Sequence, residues 1–284
     1  VTDPKTLLFA ALLLLTAIFV AVWSRASWRH IAIGFVTNFF DTLGIGSFAT
    51  TTSMYRLWNL VDDANVPGTL NIGHFLPTVV QALIYITIVQ VAFTTLIVLI
   101  AAAVAGSWIG AAIVAGMPKV AIQRGMGVAL LVAAVLMTMT ALDRFPGGGD
   151  ALFLANIKLI VAVLITFALG ALMTLGIGAY APIMIMVSLL GMNPTAAFPI
   201  MMGSCAFLMP TAGFQFIRKN KYDVPAAIGL AIGGIPAVLL AALIVRSLPL
   251  YWVRWLVVVV VVYAAFSLLR SSSATPRKPV ATEV

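Results

Sequence analysis

Charge is what this chain lacks. Only 8% of its 284 residues are Asp, Glu, Lys or Arg, against 63% hydrophobic, whereas a soluble domain carries about 25% charged residues. So small a supply of charge cannot cover a globule in water, which excludes a soluble enzyme, a disordered chain and a coiled coil. Acids are the scarcer sign, 8 against 16 Lys+Arg, for a net charge of +8. In a soluble protein that excess would point to nucleic acid. Here the basic residues stand between apolar runs and read as topology signals, so no nucleic-acid partner is expected. The one cysteine, Cys205, excludes an intrachain disulfide and a Cys-based cluster. With only His30 and His74 beside it, and no CxxC or HExxH, neither a metal site nor a cofactor is expected. Gly203-Ser204-Cys205 and His74 invite comparison with a Ser/His protease, but no full serine motif is present and no enzyme is expected.

What is there is apolar runs of membrane-spanning length, about 20 residues each. The first covers residues 7–23; Trp23, Arg25 and Trp28 form an interfacial flank, and it reads as an uncleaved helix rather than a signal peptide. Single runs follow at 67–86, 91–116 and 121–142, and in the second half at 198–217, 224–245 and 251–269. Two longer runs, 31–57 and 151–190, are interrupted, at Asp41 to Ser47 and at Thr174 to Gly178. The expected fold class is an all-α polytopic membrane protein. Residues 1–30 form an N-terminal transmembrane helix and a basic cytoplasmic loop, 31–142 a first repeat, and 143–150 a Gly-rich connector. Residues 151–270 form a second repeat and 271–284 a disordered cytoplasmic tail.

The repeat is visible in the letters. Thr42-Leu43-Gly44-Ile45-Gly46 recurs unchanged at Thr174 to Gly178, 132 residues on, and ten of the 26 positions from Thr42 to Pro67 are identical at that offset. The densest basic loop, Arg218, Lys219 and Lys221, corresponds to an uncharged stretch in the first half. The halves are therefore expected to have inverted topology. If each broken segment is a re-entrant hairpin that returns to its own side, eleven of the sixteen basic residues face the cytoplasm. That arrangement has seven full spans, the N-terminus outside and the C-terminus inside.

Broken helices at matched places in two inverted halves are the sequence pointer to a transport site. Irregular backbone at membrane depth is tolerated only inside protein or along a cavity. Helices starting at Ser47 and near Ala179 present free N–H groups and a partial positive charge, and glycine lets a ligand approach. Gly44, Gly46, Gly176 and Gly178 are thus candidate substrate contacts. Around them Asn38, Asp41 and Thr42 precede the first break, Ser47, Thr50 and Thr51 follow it, and Tyr180 follows the second. Asn71, His74, Thr78 and Gln81 share one helix face, and Ser204, Thr211 and Gln215 share another. From these the expected site takes Asn71, His74, Ser204 and Gln215. His74 is a candidate to bind substrate or carry a proton. Asp41 is either functional, as intramembrane acids tend to be, or a cap on the broken helix. Neutral donors facing one volume suit a small oxyanion.

Several of these motifs resemble the TauE/SafE-type family of sulfite and organosulfonate permeases. They are the duplicated Gly-x-Gly break, Pro67-Gly68-Thr69, Gly106-Ser107-Trp108-Ile109-Gly110, Gly178-Ala179-Tyr180-Ala181-Pro182 and Pro194-Thr195-Ala196-Ala197-Phe198-Pro199. The resemblance covers residues 31–270. It implies a multi-pass protein of the bacterial inner membrane that carries small sulfur-containing anions such as sulfite or sulfoacetate. Export is the implied direction, with alternating access around a midplane site between the repeats. The alternatives are a carrier of another small organic or inorganic anion and a passive anion channel. The expected partners are the anion and the lipid bilayer, and a homodimer is the expected assembly.

Overall fold

The computed structural model describes residues 26–144, 147–176, 178–244 and 251–273. The expected helix over 7–23 and residues 274–284 of the tail lie outside the described residues; the tail's first three residues, Ser271 to Ser273, are not disordered as expected but continue the last helix, where Ser271 and Ser272 hydroxyls bond back to the preceding turn. Every named element is helical. In chain order they are α1 (Trp28–Thr42), α2 (Ser47–Trp58), α3 (Val66–Gly73), α4 (Phe75–Ile88), α5 (Phe93–Val114), α6 (Lys119–Ala141) and α7 (Asn156–Met173). A second set continues with α8 (Tyr180–Leu189), a 3-10 turn (Pro194–Ala196), α9 (Ala197–Arg218), α10 (Val224–Ile244) and α11 (Tyr251–Ser273). At the 132-residue offset α6 falls on residues 251–273, the span of α11, and α2 falls on 179–190, beside α8.

Among the described residues five helices are long and apolar enough to cross a membrane, or six if the bent pair α3–α4 is one span. This protein is a multi-pass membrane protein by that criterion and by its outer surface. Phe93, Trp108, Ile157, Leu164, Leu243 and Phe266 all point outward. So much exposed apolar area is a liability in water and a fit to lipid. One departure from expectation is α7. Its 18 residues reach ~27 Å at the usual helical rise, close to the bilayer core, and it qualifies as a span by itself although it lies in an expected re-entrant segment. Its counterpart α1, with 15 residues, does not. A second departure is α3–α4, expected as one helix and bent by 44° at His74. Pro77 has no N–H to return to the Gly73 carbonyl, which frees the chain to bend there.

Backbone contact between small residues holds the halves together. Helix α1 lies along α10, and α7 along α5. A Cβ on Gly233 would sit 2.0 Å from the Ile31 carbonyl oxygen, one on Gly106 1.9 Å from that of Phe167, and one on Gly170 2.2 Å from that of Ala103. Packing of this kind replaces the hydrophobic effect as the force between helices in lipid. The first leg of each broken segment is thus clamped against a helix from the other half. Helices α6 and α11 pair with each other, and α9 fills the middle, against α3, α4 and α5.

The clamp makes a direct prediction. Gly106→Ala forces α5 and α7 apart at a carbonyl that cannot yield, at a cost of about 1–3 kcal/mol. It should lower the unfolding temperature of the detergent-solubilised protein by several degrees. Gly147→Ala, where an added Cβ meets nothing within 4 Å, should leave it unchanged.

Candidate functional site

Each break is made by glycine. Helix α1 ends as Gly44 N–H donates to the Asp41 carbonyl at 2.8 Å and Ile45 N–H to that of Phe40 at 3.0 Å, with Gly44 at φ +84. This is a left-handed helix stop, which costs an L side chain energy and glycine none. Gly46, at φ +90, then turns the chain into α2. In the second half Gly176, at φ +98, ends α7.

Asp41 bridges the first break. Ser47 N–H donates to its Oδ1 at 2.8 Å, so the carboxylate caps α2 from the helix before it. Gln81 Nε2 donates to Asp41 Oδ2 at 3.1 Å and to Thr42 Oγ1 at 2.9 Å, and the Tyr85 hydroxyl donates to the Thr42 carbonyl at 2.6 Å. The expectation that α2 presents a free N-terminus is therefore corrected. A carboxylate already occupies it, because a negative group is stabilised at that end of the helix dipole. Of the two readings of Asp41, the cap is realised in the structure. At the start of helix α8 the N-cap is Ala179, which offers no side-chain cap. At the repeat offset the position of Asp41 is taken by Met173, which cannot accept such a bond.

A second network braces the break from behind. Asn38 Nδ2 donates to the Gly34 carbonyl at 2.7 Å, which turns Asn38 Oδ1 toward His74 Nδ1 at 3.0 Å. His74 Nδ1 must then carry the proton, leaving Nε2 to accept from the Thr51 hydroxyl at 3.0 Å. His74 is fully buried and both ring nitrogens are engaged by protein. It ties α1 to α2 from the α3–α4 bend.

The two breaks meet. Gly46 and Ser47 of the first and Gly178 and Ala179 of the second line one cavity of about 20 Å3, with Asp41 and Thr78. Phe48, Met173, Met201, Met202, Cys205 and Met209 close it, and Cys205 Sγ lies 3.5 Å from Met173 Sδ. A volume of that size holds about one water; a larger guest enters only if the wall shifts, and flexible methionines allow that. A second cavity of about 30 Å3 adjoins the breaks, lined by Gly44, Gly46 and Gly178 with Ala49, Ala133 and Met137.

Of the residues expected at the site, Asp41, Gly46, Ser47 and Gly178 converge on the first cavity and Gly44 on the second. Asn38, Thr42, Thr51 and His74 stand one layer behind. Gly176 closes its turn against Leu70 and Thr52. Thr50 bonds back to the carbonyls of Gly46 and Ser47. Asn71 donates to the Pro67 carbonyl while its Oδ1 has no partner. Ser204 is buried with an unpartnered hydroxyl. Gln215, ~16 Å further along α9, lines neither cavity. The Tyr180 side chain lies outside the described residues. Thr78, Gln81 and Tyr85 belong to the site although the expected set omits them. Gln81 and Tyr85 are four apart on one helix face, the signal that could have added Tyr85. The sulfur wall has no polar spacing and left no signal. Asp63 reads from sequence as a solvated acid, yet it is buried, bound by Arg56 Nη1 and by Gln123 Nε2, each at 2.8 Å.

Chemically, the cavity offers one carboxylate, backbone N–H groups, one free hydroxyl on Thr78 and a soft sulfur wall. Among the described residues no lysine or arginine lines it, and none of their side chains form a cluster of three or more His, Cys or Asp that could hold a metal ion. Such a fold and site define a multi-pass helical membrane protein with a small cavity at two paired helix breaks. In comparison with known proteins, the chain matches no family model, no curated protein and no solved structure.

Two predictions follow from this geometry. Gly46→Ala places a side chain in left-handed backbone and should cost about 1–2 kcal/mol, read as a fall in unfolding temperature. Gly178→Ala meets no atom of the described residues within 4 Å and should leave stability unchanged. His74→Ala empties a buried site and strips bonds from Asn38 and Thr51, costing about 2–4 kcal/mol; calorimetric unfolding in detergent measures it, and an unchanged midpoint would contradict the bracing role.

Proposed function

We propose that this protein is a secondary transporter of small sulfur-containing anions, sulfite or an organosulfonate such as sulfoacetate, working by alternating access from the bacterial inner membrane. The observation that carries the reading is the meeting of two duplicated Gly-x-Gly breaks at one buried cavity. Paired helix breaks at a repeat interface are how transporters place irregular backbone beside a substrate. In this reading the halves are inverted repeats, supported by the 132-residue recurrence of helix spans and by the reciprocal packing of α1 on α10 and α7 on α5. The motif resemblance to TauE/SafE-type permeases supports the substrate class and the outward direction.

The anion is held between the two breaks, in the cavity that both line. Ala179, at the N-cap of helix α8, offers no side-chain cap, and the free hydroxyl of Thr78 reaches the same cavity. Asn38, Thr51 and His74 keep the first break in shape and do not touch the substrate. The cavity must widen to admit four or more heavy atoms, and the methionine wall supplies the give.

Purified protein should be stabilised by sulfite, sulfoacetate or taurine in a thermal-shift assay, since a ligand raises native-state stability in proportion to the logarithm of its concentration over Kd. In proteoliposomes the stabilising anion should show saturable flux, and Gly178→Leu, which fills the cavity, should lower that flux at least tenfold without loss of membrane insertion. Flux through Gly178→Leu equal to wild type would sink the assignment of the site, and the absence of a shift with every sulfur oxyanion would sink the substrate class.

A further inference from the structure

The cavity read as an anion site already contains an anion. Asp41 is 8% exposed, its Oδ1 takes the Ser47 N–H that opens α2, and it shares the cavity lining with Gly178 and Ala179. Two negative groups across a cavity of about 20 Å3, without a lysine or arginine on its described wall, repel strongly in a low-dielectric surround. A substrate anion and an ionised Asp41 therefore exclude each other. The remedy open to the protein is to neutralise the carboxylate.

Gln81 is built to receive the neutral form. It donates from Nε2 to Asp41 Oδ2 at 3.1 Å, while its own Oε1 is buried with no partner. A buried acceptor left unpaired costs about 1–3 kcal/mol. A protonated Asp41 has an O–H to give, and a half-turn of the Gln81 amide brings Oε1 to accept it in exchange for the Nε2 bond to Thr42 Oγ1. Ser47 N–H is then released to the cavity, where the unpartnered Thr78 hydroxyl already stands. The titratable groups facing Asp41 are Tyr85 from α4 and Cys205 from α9. His74, at the α3–α4 bend, is held by Asn38 and Thr51. None of the three carries a positive charge that would hold Asp41 ionised beside a second anion.

We propose that Asp41 is a resident stand-in for the substrate, displaced from the α2 N-terminus as the anion binds and protonated as it leaves, so that each bound anion brings one proton with it. The inference rests on the reading of the cavity as an anion site. The proton comes from solvent and ends on an Asp41 carboxyl oxygen, hydrogen-bonded to Gln81 Oε1; no bond in the substrate changes. The coupling ion is the proton, and the carrier moves anion and proton in the same direction.

The test is calorimetric binding of methanesulfonate and sulfoacetate to the purified full chain, run in two buffers of different ionisation enthalpy. Both sulfonate groups stay ionised near neutral pH. Wild type should take up about one proton per anion, and Kd should rise about tenfold per pH unit above neutrality. Asp41→Asn, whose amide N–H can serve Gln81 Oε1 as the protonated acid would, should bind the anion with heats independent of buffer and affinity independent of pH. Anion binding by wild type without proton uptake overturns the proposal and leaves the anion site standing. Proton uptake that persists in Asp41→Asn also overturns it. Should Asp41→Asn fail to fold, Asp41→Ser takes its place in the same two-buffer measurement, with the same outcomes. No binding of either sulfonate by wild type or variant removes the anion site, and this proposal with it.

Discussion

The hydrogen bond from Ser47 N–H to Asp41 Oδ1 is the contact on which the site depends. A chain that stops one helix and starts another inside a membrane leaves unpaired carbonyls behind and unpaired N–H groups ahead. Gly44 satisfies part of the first set by folding the backbone onto Phe40 and Asp41. Asp41 satisfies one member of the second by reaching across the break. A single side chain thus joins the end of α1 to the start of α2, and Gln81 and Tyr85 tie that junction to α4. At the second break Met173 stands where Asp41 stands at the first, so the duplicated sequence supports two chemically unequal ends facing one cavity.

Around that junction the protein separates two kinds of packing. Where the halves touch, glycines let backbone lie on backbone, as between α5 and α7 and between α1 and α10. These contacts are stiff, since a carbonyl cannot rotate out of the way. Where the breaks face each other, the wall is methionine and cysteine. Unbranched, polarisable side chains adapt to a changing volume. Rigid clamps outside and a compliant wall inside are what a cavity needs if its contents are to change while the helix legs hold their places. The Arg56–Asp63 ion pair, 2.8 Å long, closes one end of the same assembly. Arg56 also reaches the Ser271 hydroxyl on α11, linking the end of α2 to the last helix.

Much of the fold was legible in the sequence. Runs of apolar residues set the number and position of the helices, because a segment in lipid must satisfy its backbone internally and the helix is the simplest way to do so. The duplicated Thr-Leu-Gly-Ile-Gly located both breaks, because left-handed backbone is cheap only for glycine. The bend at His74 was less visible. Pro77 is in the sequence, yet a proline in an apolar helix is as often a small kink as a break, and the neighbours decide.

The sequence by itself determined that this is a multi-pass helical protein with two matched interruptions, since composition and repetition are written along one dimension. Only the tertiary structure decided what the polar residues do. Spacing put His74 and Asp41 among candidate ligands; contacts made His74 a brace between Asn38 and Thr51 and made Asp41 a cap that also lines the cavity. Contacts likewise brought Thr78, Cys205 and the methionines of α9 to face breaks distant in the chain. A hydrogen bond depends on where two helices stand relative to each other, and that is settled by packing between residues far apart in sequence.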